Sequence, residues 1–196
     1  MIKRLFDIVF SGFGLIFLFP FFLVLALLIV IDSKGGVFYR QVRVGKNGVD
    51  FKLFKFRSMK TGADKKGLLT VGGRDPRITK IGYFIRKYKV DELSQLINVL
   101  IGDMSLVGPR PEVRKYVDLY TVEQLKVLSV KPGITDNASI AYFNENELLG
   151  KSSNPEETYI KEIMPVKLLL NLKYVNTFTV LSDIKIIVNT LKKIVN

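Results

Sequence analysis

Lys89-Val90-Asp91-Glu92-Leu93-Ser94-Gln95-Leu96-Ile97-Asn98-Val99-Leu100-Ile101-Gly102-Asp103-Met104-Ser105-Leu106-Val107-Gly108-Pro109-Arg110-Pro111-Glu112 is the stretch around which this 196-residue chain is organised. Leu93, Leu96, Ile97 and Leu100 recur at helical spacing, so a helix with one apolar side is expected. Asp91 and Glu92 stand where that helix begins, and Gly102 where it ends. The Gly-Pro-Arg-Pro turn then holds Arg110 between two residues of fixed φ. A carboxylate at a helix N-terminus faces unpaired N–H groups and the positive end of the dipole, so it is expected to stay ionised near neutral pH. Such a group can hold a hard cation or attack phosphorus. It can equally be a helix cap, the commoner reason for Asp and Glu in a first turn.

Composition narrows the chemistry. The chain has no Cys and no His. It therefore has no disulfide framework, no thiol nucleophile and no imidazole base, and it lacks the commonest zinc ligands. Any acid–base or metal chemistry falls to carboxylates, Lys, Tyr and hydroxyls. The formal net charge is +12, and its location is informative. Arg40 to Val90 holds 15 Lys or Arg against Asp50, Asp64 and Asp75, a difference of +12, so the remainder is balanced. Positive charge concentrated just before Asp91 attracts phosphates, whether of nucleotides, nucleic acid or anionic lipid.

Leu5 to Ile31 is almost wholly apolar, with Asp7 its one charge and Pro20 near its middle. It is long enough to span a bilayer. No small-residue cleavage site follows a short apolar core, so a removable signal peptide is not expected. Lys3 and Arg4 precede it and Lys34, Arg40 and Arg43 follow. The positive-inside rule favours basic flanks on the cytoplasmic side, and a helix that bends at Pro20 and returns satisfies both. A single span kinked at proline is the alternative, since such helices tolerate proline.

Beyond Asp32-Ser-Lys-Gly-Gly36, Val37–Val44 and Phe51–Phe56 read as strands joined across an Asn47-Gly48 turn. The basic side of this hairpin can be a solvated strand face. Thr61 to Lys80, with its Gly-Gly-Arg-Asp-Pro turn, reads as a long surface loop. Ile78–Tyr88 reads as a short amphipathic helix suited to a membrane surface or to a core. Two short helices are expected in Val113–Tyr120 and Val122–Leu128, and a turn at Lys131-Pro-Gly-Ile-Thr135. Pro155–Leu172 is helical in character with Pro165 interrupting it, and Asp183–Asn196 forms an amphipathic final helix. There is no internal repeat, no Walker A motif and no Gly-x-Gly-x-x-Gly after a strand.

Several motifs together resemble one family. They are Gln41-x-Arg43-x-Gly45-x-x-Gly48, Phe51-x-x-x-Lys55-Phe56-Arg57-Ser58-Met59, Ile81-Gly82-x-Phe84-Ile85-Arg86 and Asp91-Glu92-Leu93-x-Gln95-Leu96-x-Asn98-Val99-Leu100. Gly102-Asp-Met-Ser-Leu-Val-Gly-Pro-Arg-Pro111 and Lys131-Pro-Gly-Ile-Thr135 complete the set. The chain is thereby similar, over nearly its whole length, to the bacterial sugar transferases, the small monotopic polyprenol-phosphate phosphoglycosyl transferases. The resemblance implies an α+β fold: a re-entrant membrane helix-break-helix over 1–34, then a small, mostly helical catalytic domain over 35–196 with a β-hairpin and amphipathic surface helices. It implies transfer of a sugar-1-phosphate from a UDP-sugar to undecaprenyl phosphate with release of UMP, an early membrane step of glycoconjugate synthesis. Asp91 is then the nucleophile and a Mg²⁺ ligand, with Glu92 its partner. Lys55, Arg86 and Arg110 match positions that face phosphates, and Arg57 lies beside them. The implied location is the cytoplasmic face of the bacterial inner membrane, with membrane lipid but no nucleic acid as partner.

The residue chemistry agrees: bidentate Arg suits phosphate, and a carboxylate with metal and Arg needs neither His nor Cys. The sequence departs from the family pattern at Phe19, in Asp136–Glu145, which has no Arg, and at Asn171. The residues that contact the sugar are therefore not assigned. Two other readings compete. A membrane-tethered nucleic-acid binder could stack bases on Phe-Lys-Leu-Phe-Lys-Phe-Arg57. A structural membrane protein would use Asp91 and Glu92 only as a cap. UMP release from UDP-sugars with Mg²⁺ separates both from an enzyme.

Overall fold

The computed structural model describes residues 2–63 and 75–195, the side chain of Val195 excepted. Most of the Gly-Gly-Arg-Asp-Pro turn read from the sequence lies outside them. The described part is mixed α and β, opening with a 31-residue helix, α1 (Ile2–Asp32), that contains Pro20. At 1.5 Å per residue α1 is about 46 Å long, more than a bilayer's hydrocarbon thickness.

Polar contacts fasten α1 to the rest of the chain at both ends. Near its start, Arg4 Nη1 donates to Val99 O at 2.6 Å and Nη2 to Leu100 O at 3.0 Å. Asp7 is buried and accepts from Ser105 Oγ and from the Leu106 N–H, each at 3.0 Å. The one charge inside the apolar run thus has two partners, as burial requires. Near its end, Leu25 and Ile29 pack with Phe56, Ile85 and Val90, and Asp32 accepts from the Ile81 N–H at 2.9 Å. The opposite side carries Phe13, Ile16 and Phe17, each at least 75% exposed. The helix is long and apolar enough to cross a bilayer.

The hairpin forms as its sequence indicates. β1 (Phe38–Val44) and β2 (Asp50–Phe56) are antiparallel, registered from Phe38 opposite Phe56 to Val44 opposite Asp50. Asn47 and Gly48 take left-handed φ of 57° and 75° in the turn. Next comes α2 (Lys80–Lys87), capped by the Thr79 hydroxyl, and then α3 (Gln95–Ile101), which Gly102 ends at φ 103°.

β3 (Ser105–Val107) and β4 (Gly133–Thr135) form a short parallel pair that periodicity did not indicate; the second was read as a turn. Three residues are too few to show alternation. Between and beyond them lie α4 (Arg114–Val117), a 3₁₀ segment at Gln124–Ser129, α5 (Asn137–Ala141), α6 (Glu145–Gly150) and α7 (Pro155–Thr158). A π-helical turn at Tyr159–Ile163 leads into α8 (Met164–Thr177). The helical path runs without a gap from Pro155 to Thr177, and Pro165 follows directly on the π-helical turn, so the expected interruption is a local change of winding inside one longer helix. α9 (Val180–Val195) closes the chain. Tyr116, Leu149, Tyr159, Ile163, Met164 and Leu168 pack together as the core of this C-terminal half.

Candidate active site

Asp91 and Glu92 lie on a 3₁₀ turn, Val90–Glu92, entered through Lys89 at a left-handed φ of 54°. Here the sequence expectation needs correction: α3 starts at Gln95, so neither carboxylate is at its first turn. The reason is the edge of β2. Ser94 Oγ donates to Phe54 O at 3.1 Å, Asn98 Nδ2 donates to Lys52 O at 2.9 Å, and Asn98 Oδ1 accepts from the Phe54 N–H at 2.9 Å. These side chains, polar residues inside an apolar pattern, tie α3 to the strand. The preceding residues tighten into a separate turn beside Lys55.

The two neighbours meet opposite environments. Glu92 is held by both guanidinium nitrogens of Arg110: Nη1 to Oε2 at 3.1 Å and Nη2 to Oε1. Lys55 Nζ is 3.7 Å from Oε1. Burial alone would raise its pKa, but the charges of Arg110 and Lys55 and the Arg110 hydrogen bonds hold it well below the usual carboxylate range. Asp91 is 6% exposed and, among the described residues, its carboxylate has no hydrogen bond and no ion pair. Burial pushes its pKa up more than the charge of Lys55 pulls it down, and Glu92 adds to the rise. Burial also lowers Lys55, to about 8, against the pull of Glu92 and Asp91. Where the sequence suggests a helix dipole that keeps Asp91 ionised, burial instead raises its pKa against the charges of Lys55, Arg86 and Lys89.

Lys55 gives a pH prediction. A lysine with a depressed pKa is charged below about pH 8 and neutral above it. An anionic substrate loses that charge as pH rises, so kcat/KM should fall through about pH 8. In Lys55→Arg the limb should move beyond pH 10, because guanidinium does not titrate there. Coincident profiles of initial rate at limiting donor would remove Lys55 from the site.

Arg110 is positioned by more than its prolines. Its backbone N–H donates to Asp136 Oδ2 at 3.0 Å, and Asp136 Oδ1 accepts from Ser139 N at 2.6 Å, capping α5. β3 and β4 cross at Gly108 and Gly133, where a Cβ on either would fall within 2.5 Å of backbone atoms of the other segment. The Gly-Pro-Arg-Pro and Pro-Gly-Ile-Thr motifs are therefore two sides of one close contact that sets the arginine. Asp136 has no role in the sequence reading; its Asp-x-x-Ser spacing is the available signal.

Arg57 lines the same cavity as Lys55, Arg86 and Arg110, but its guanidinium is engaged with backbone carbonyls. It is 7% exposed, and its guanidinium donates to Ile29 O, Ser33 O and Lys34 O, at 3.2, 2.5 and 2.8 Å. It thereby ties the last turn of α1 and the two residues that follow it to the end of β2; Ile29 O also accepts from the Ser33 N–H at 3.2 Å.

A second cluster lies nearby. Arg43 Nη1 donates to Glu112 Oε1 at 2.8 Å, and the Tyr159 hydroxyl donates to Glu112 Oε2. Lys167 Nζ pairs with Glu145 at 2.7 Å and stands over the Tyr159 ring. Burial opposes it, but Arg43, Lys167 and the Tyr159 hydroxyl keep Glu112 below its ordinary pKa. The spacing of Arg43, Glu112, Glu145, Tyr159 and Lys167, which are scattered along the chain, carried no signal.

Two cavities meet at Asp91. One, of about 520 Å³, runs past Arg43, Glu112 and Tyr159. The other, of about 450 Å³, runs past Leu93, Leu96 and α9. Asp91, Lys55, Arg86, Arg110 and Lys167 border both. A buried carboxylate with no partner thus sits at a junction lined by cations, a place suited to a reaction between two anionic groups.

Among the described residues no group of three or more metal-ligating side chains is gathered. Both Glu92 oxygens are engaged, so Asp91 is the available ligand. That set suits Mg²⁺, which takes one or two carboxylates and completes its shell with substrate phosphates and water.

The family model for bacterial sugar transferases matches residues 1–196. The chain is 35% identical over 98% of its length to a UDP-N-acetylgalactosamine-undecaprenyl-phosphate N-acetylgalactosaminephosphotransferase of Aeromonas hydrophila, of which the match covers 43%. It is 37% identical over 98% of its length to a UDP-glucose:undecaprenyl-phosphate glucose-1-phosphate transferase of Escherichia coli, of which the match covers 40%. An exopolysaccharide production protein of Rhizobium leguminosarum is 39% identical, with 97% of this chain and 93% of that protein aligned. The chain thus spans less than half the length of the Aeromonas and Escherichia proteins.

Proposed function

The chain belongs to the bacterial sugar transferase family, and we propose that it moves a sugar-1-phosphate from a UDP-sugar to undecaprenyl phosphate and releases UMP. The observation that carries this reading is Asp91: buried, unpartnered and set where two cavities meet among cations. The larger, more polar cavity receives the nucleotide sugar, whose phosphates Lys55, Arg86 and Arg110 face.

In the first half-reaction an Asp91 carboxylate oxygen attacks the phosphorus next to the sugar. The bond from that phosphorus to the UMP oxygen breaks, and UMP leaves with the electron pair. A sugar phosphate is then joined to Asp91 as an acyl phosphate. In the second half-reaction an oxygen of undecaprenyl phosphate attacks the same phosphorus and the carboxylate leaves, restoring Asp91. No proton need move, which suits a chain without His. Mg²⁺ held by Asp91 and the diphosphate would neutralise charge on the donor. Arg110, aimed by Glu92 and Asp136, offers the N–H donors that Glu92 leaves free to the charge that builds on phosphate oxygens. Arg57 borders the same larger cavity, and its guanidinium fixes the exit of α1 against β2.

A panel of UDP-sugars offered to the detergent-solubilised protein tests the reading. One sugar nucleotide should give UMP in amounts that multiply when undecaprenyl phosphate is added. UMP release from none of them, with or without the lipid, would reject it.

We place α1 in the bacterial inner membrane with residues 1 and 35 on the cytoplasmic side, the helix, unbroken over Ile2–Asp32 in this structure, bending near Pro20 to return. Lys3, Arg4 and Asp32 all bind the same folded domain, and both flanks are basic. Single cysteines at Ile2 and Ser33 should both resist an impermeant thiol reagent in intact cells and both react after permeabilisation. Labelling of the Ile2 site alone from outside would establish a span.

A further inference from the structure

α9 carries two faces of different use. Asp183 and Ile186 turn inward and are buried, whereas Ile184, Val188 and Leu191 are more than 40% exposed. An amphipathic helix of a soluble domain turns its apolar stripe to the core. Here much of that stripe looks away from it. Part borders the 450 Å³ cavity: Ile187, Leu191 and Ile194 form one wall, and Leu93 and Leu96 form another. Phe10 of α1 stands at its edge, so the cavity opens beside the apolar helix. Lys89 and Lys193 border it with Arg86 and Asp91. The cavity is therefore largely apolar on the α9 and α3 sides, its cations outnumber Asp91, Glu92 and Glu145, and it adjoins the apolar helix α1.

We infer that this cavity is the acceptor site: it holds the first isoprene units of the polyprenyl phosphate between α9, α3 and Phe10, with the phosphate among Arg86, Lys89 and Lys193 at Asp91. A long amphiphile with a dianionic head and a hydrocarbon tail matches both the charge and the apolar walls. A nucleotide sugar does not, since it would leave its ribose and sugar hydroxyls against Leu and Ile side chains. The two substrates then reach Asp91 from different cavities, and the lipid need not leave the membrane region near α1. This inference rests on the transfer reaction proposed above.

Its test uses the full-length protein in detergent with the UDP-sugar found to be its donor. Leu191→Asn and Ile194→Asn should each raise the KM for undecaprenyl phosphate about tenfold, as loss of one well-packed aliphatic contact does. The KM for the UDP-sugar should stay within about twofold of wild type. Val188→Asn, on the same helix but outside the cavity, should leave acceptor KM within about twofold, which separates the cavity from general membrane docking of α9. With a ten-carbon polyprenyl phosphate the Ile194→Asn penalty should shrink below that for the full-length lipid, since fewer units lie along the wall. Unchanged acceptor KM in both cavity variants, or equal changes in Val188→Asn, would overturn the assignment. A wild-type UMP burst with donor alone, beside unchanged acceptor KM, locates the failure in the cavity. No wild-type turnover with any donor locates it in the proposed reaction, and the inference falls with it.

Discussion

Asp91→Asn should lose turnover by at least about 10³-fold while the protein folds normally. Asn fills the same space, and no hydrogen bond or ion pair is lost, because the Asp91 carboxylate has none among the described residues. Removing a buried and desolvated charge should if anything stabilise the fold, since burial dominates its raised pKa. A stable but inactive variant is what a functional carboxylate gives, whereas a cap gives an active and destabilised one. Wild type incubated with donor and no lipid should release UMP up to one equivalent per enzyme. A sugar phosphate should then be found by mass spectrometry on the peptide containing Asp91. No adduct, with UMP appearing only when lipid is added, would mean direct displacement by the acceptor and would remove Asp91 as nucleophile. Because only ionised Asp91 attacks, kcat/KM should also fall on the acid side at a pH above the ordinary carboxylate range. With the Lys55 limb near pH 8, the profile should be a bell.

Elements whose information is local were legible in the sequence. The hairpin follows from alternation and Asn47-Gly48, α2 from its apolar stripe, and the end of α3 from Gly102. The start of α3 was not, because Ser94 and Asn98 are spent on the edge of β2, a contact about 40 residues away in sequence. The parallel β3–β4 pair was missed because each strand has three residues. At the site, Asp91, Glu92, Lys55 and Arg110 stood in recognisable motifs, and the structure gathers them. Glu112, Arg43 and Tyr159 are bound to one another across more than 110 positions, so no window of sequence holds them together. Asp7 was visible as an oddity in an apolar run, but its meaning lies in Ser105 and Leu106. The long-range polar contacts are thus the least legible part and the part that aims the site.

Arg110→Lys should lower kcat by about 10²-fold, the usual loss for a donor aimed at developing charge. The variant keeps the charge, and its backbone stays fixed by Pro109, Pro111 and the Asp136 bond to the N–H. What disappears is the planar pair of donors, which in the free enzyme grips both Glu92 oxygens and which phosphate would share. The melting temperature should change little, since a lysine can still neutralise Glu92, and this separates the catalytic from the structural reading. Wild-type turnover in Arg110→Lys would leave the arginine only its role as partner of Glu92. Glu92→Gln makes the converse change. It frees Arg110 from its anchor without touching the nucleophile, so the donor-only burst should still approach one UMP per enzyme but arrive more slowly. Asp91 and Glu92 are adjacent, yet they point to separate partners, so the two variants should differ in kind: one forms no adduct, the other forms it late. Equal loss of the adduct in both would show that the carboxylates act as one unit, with Glu92 needed to keep Asp91 reactive and not only to aim the arginine.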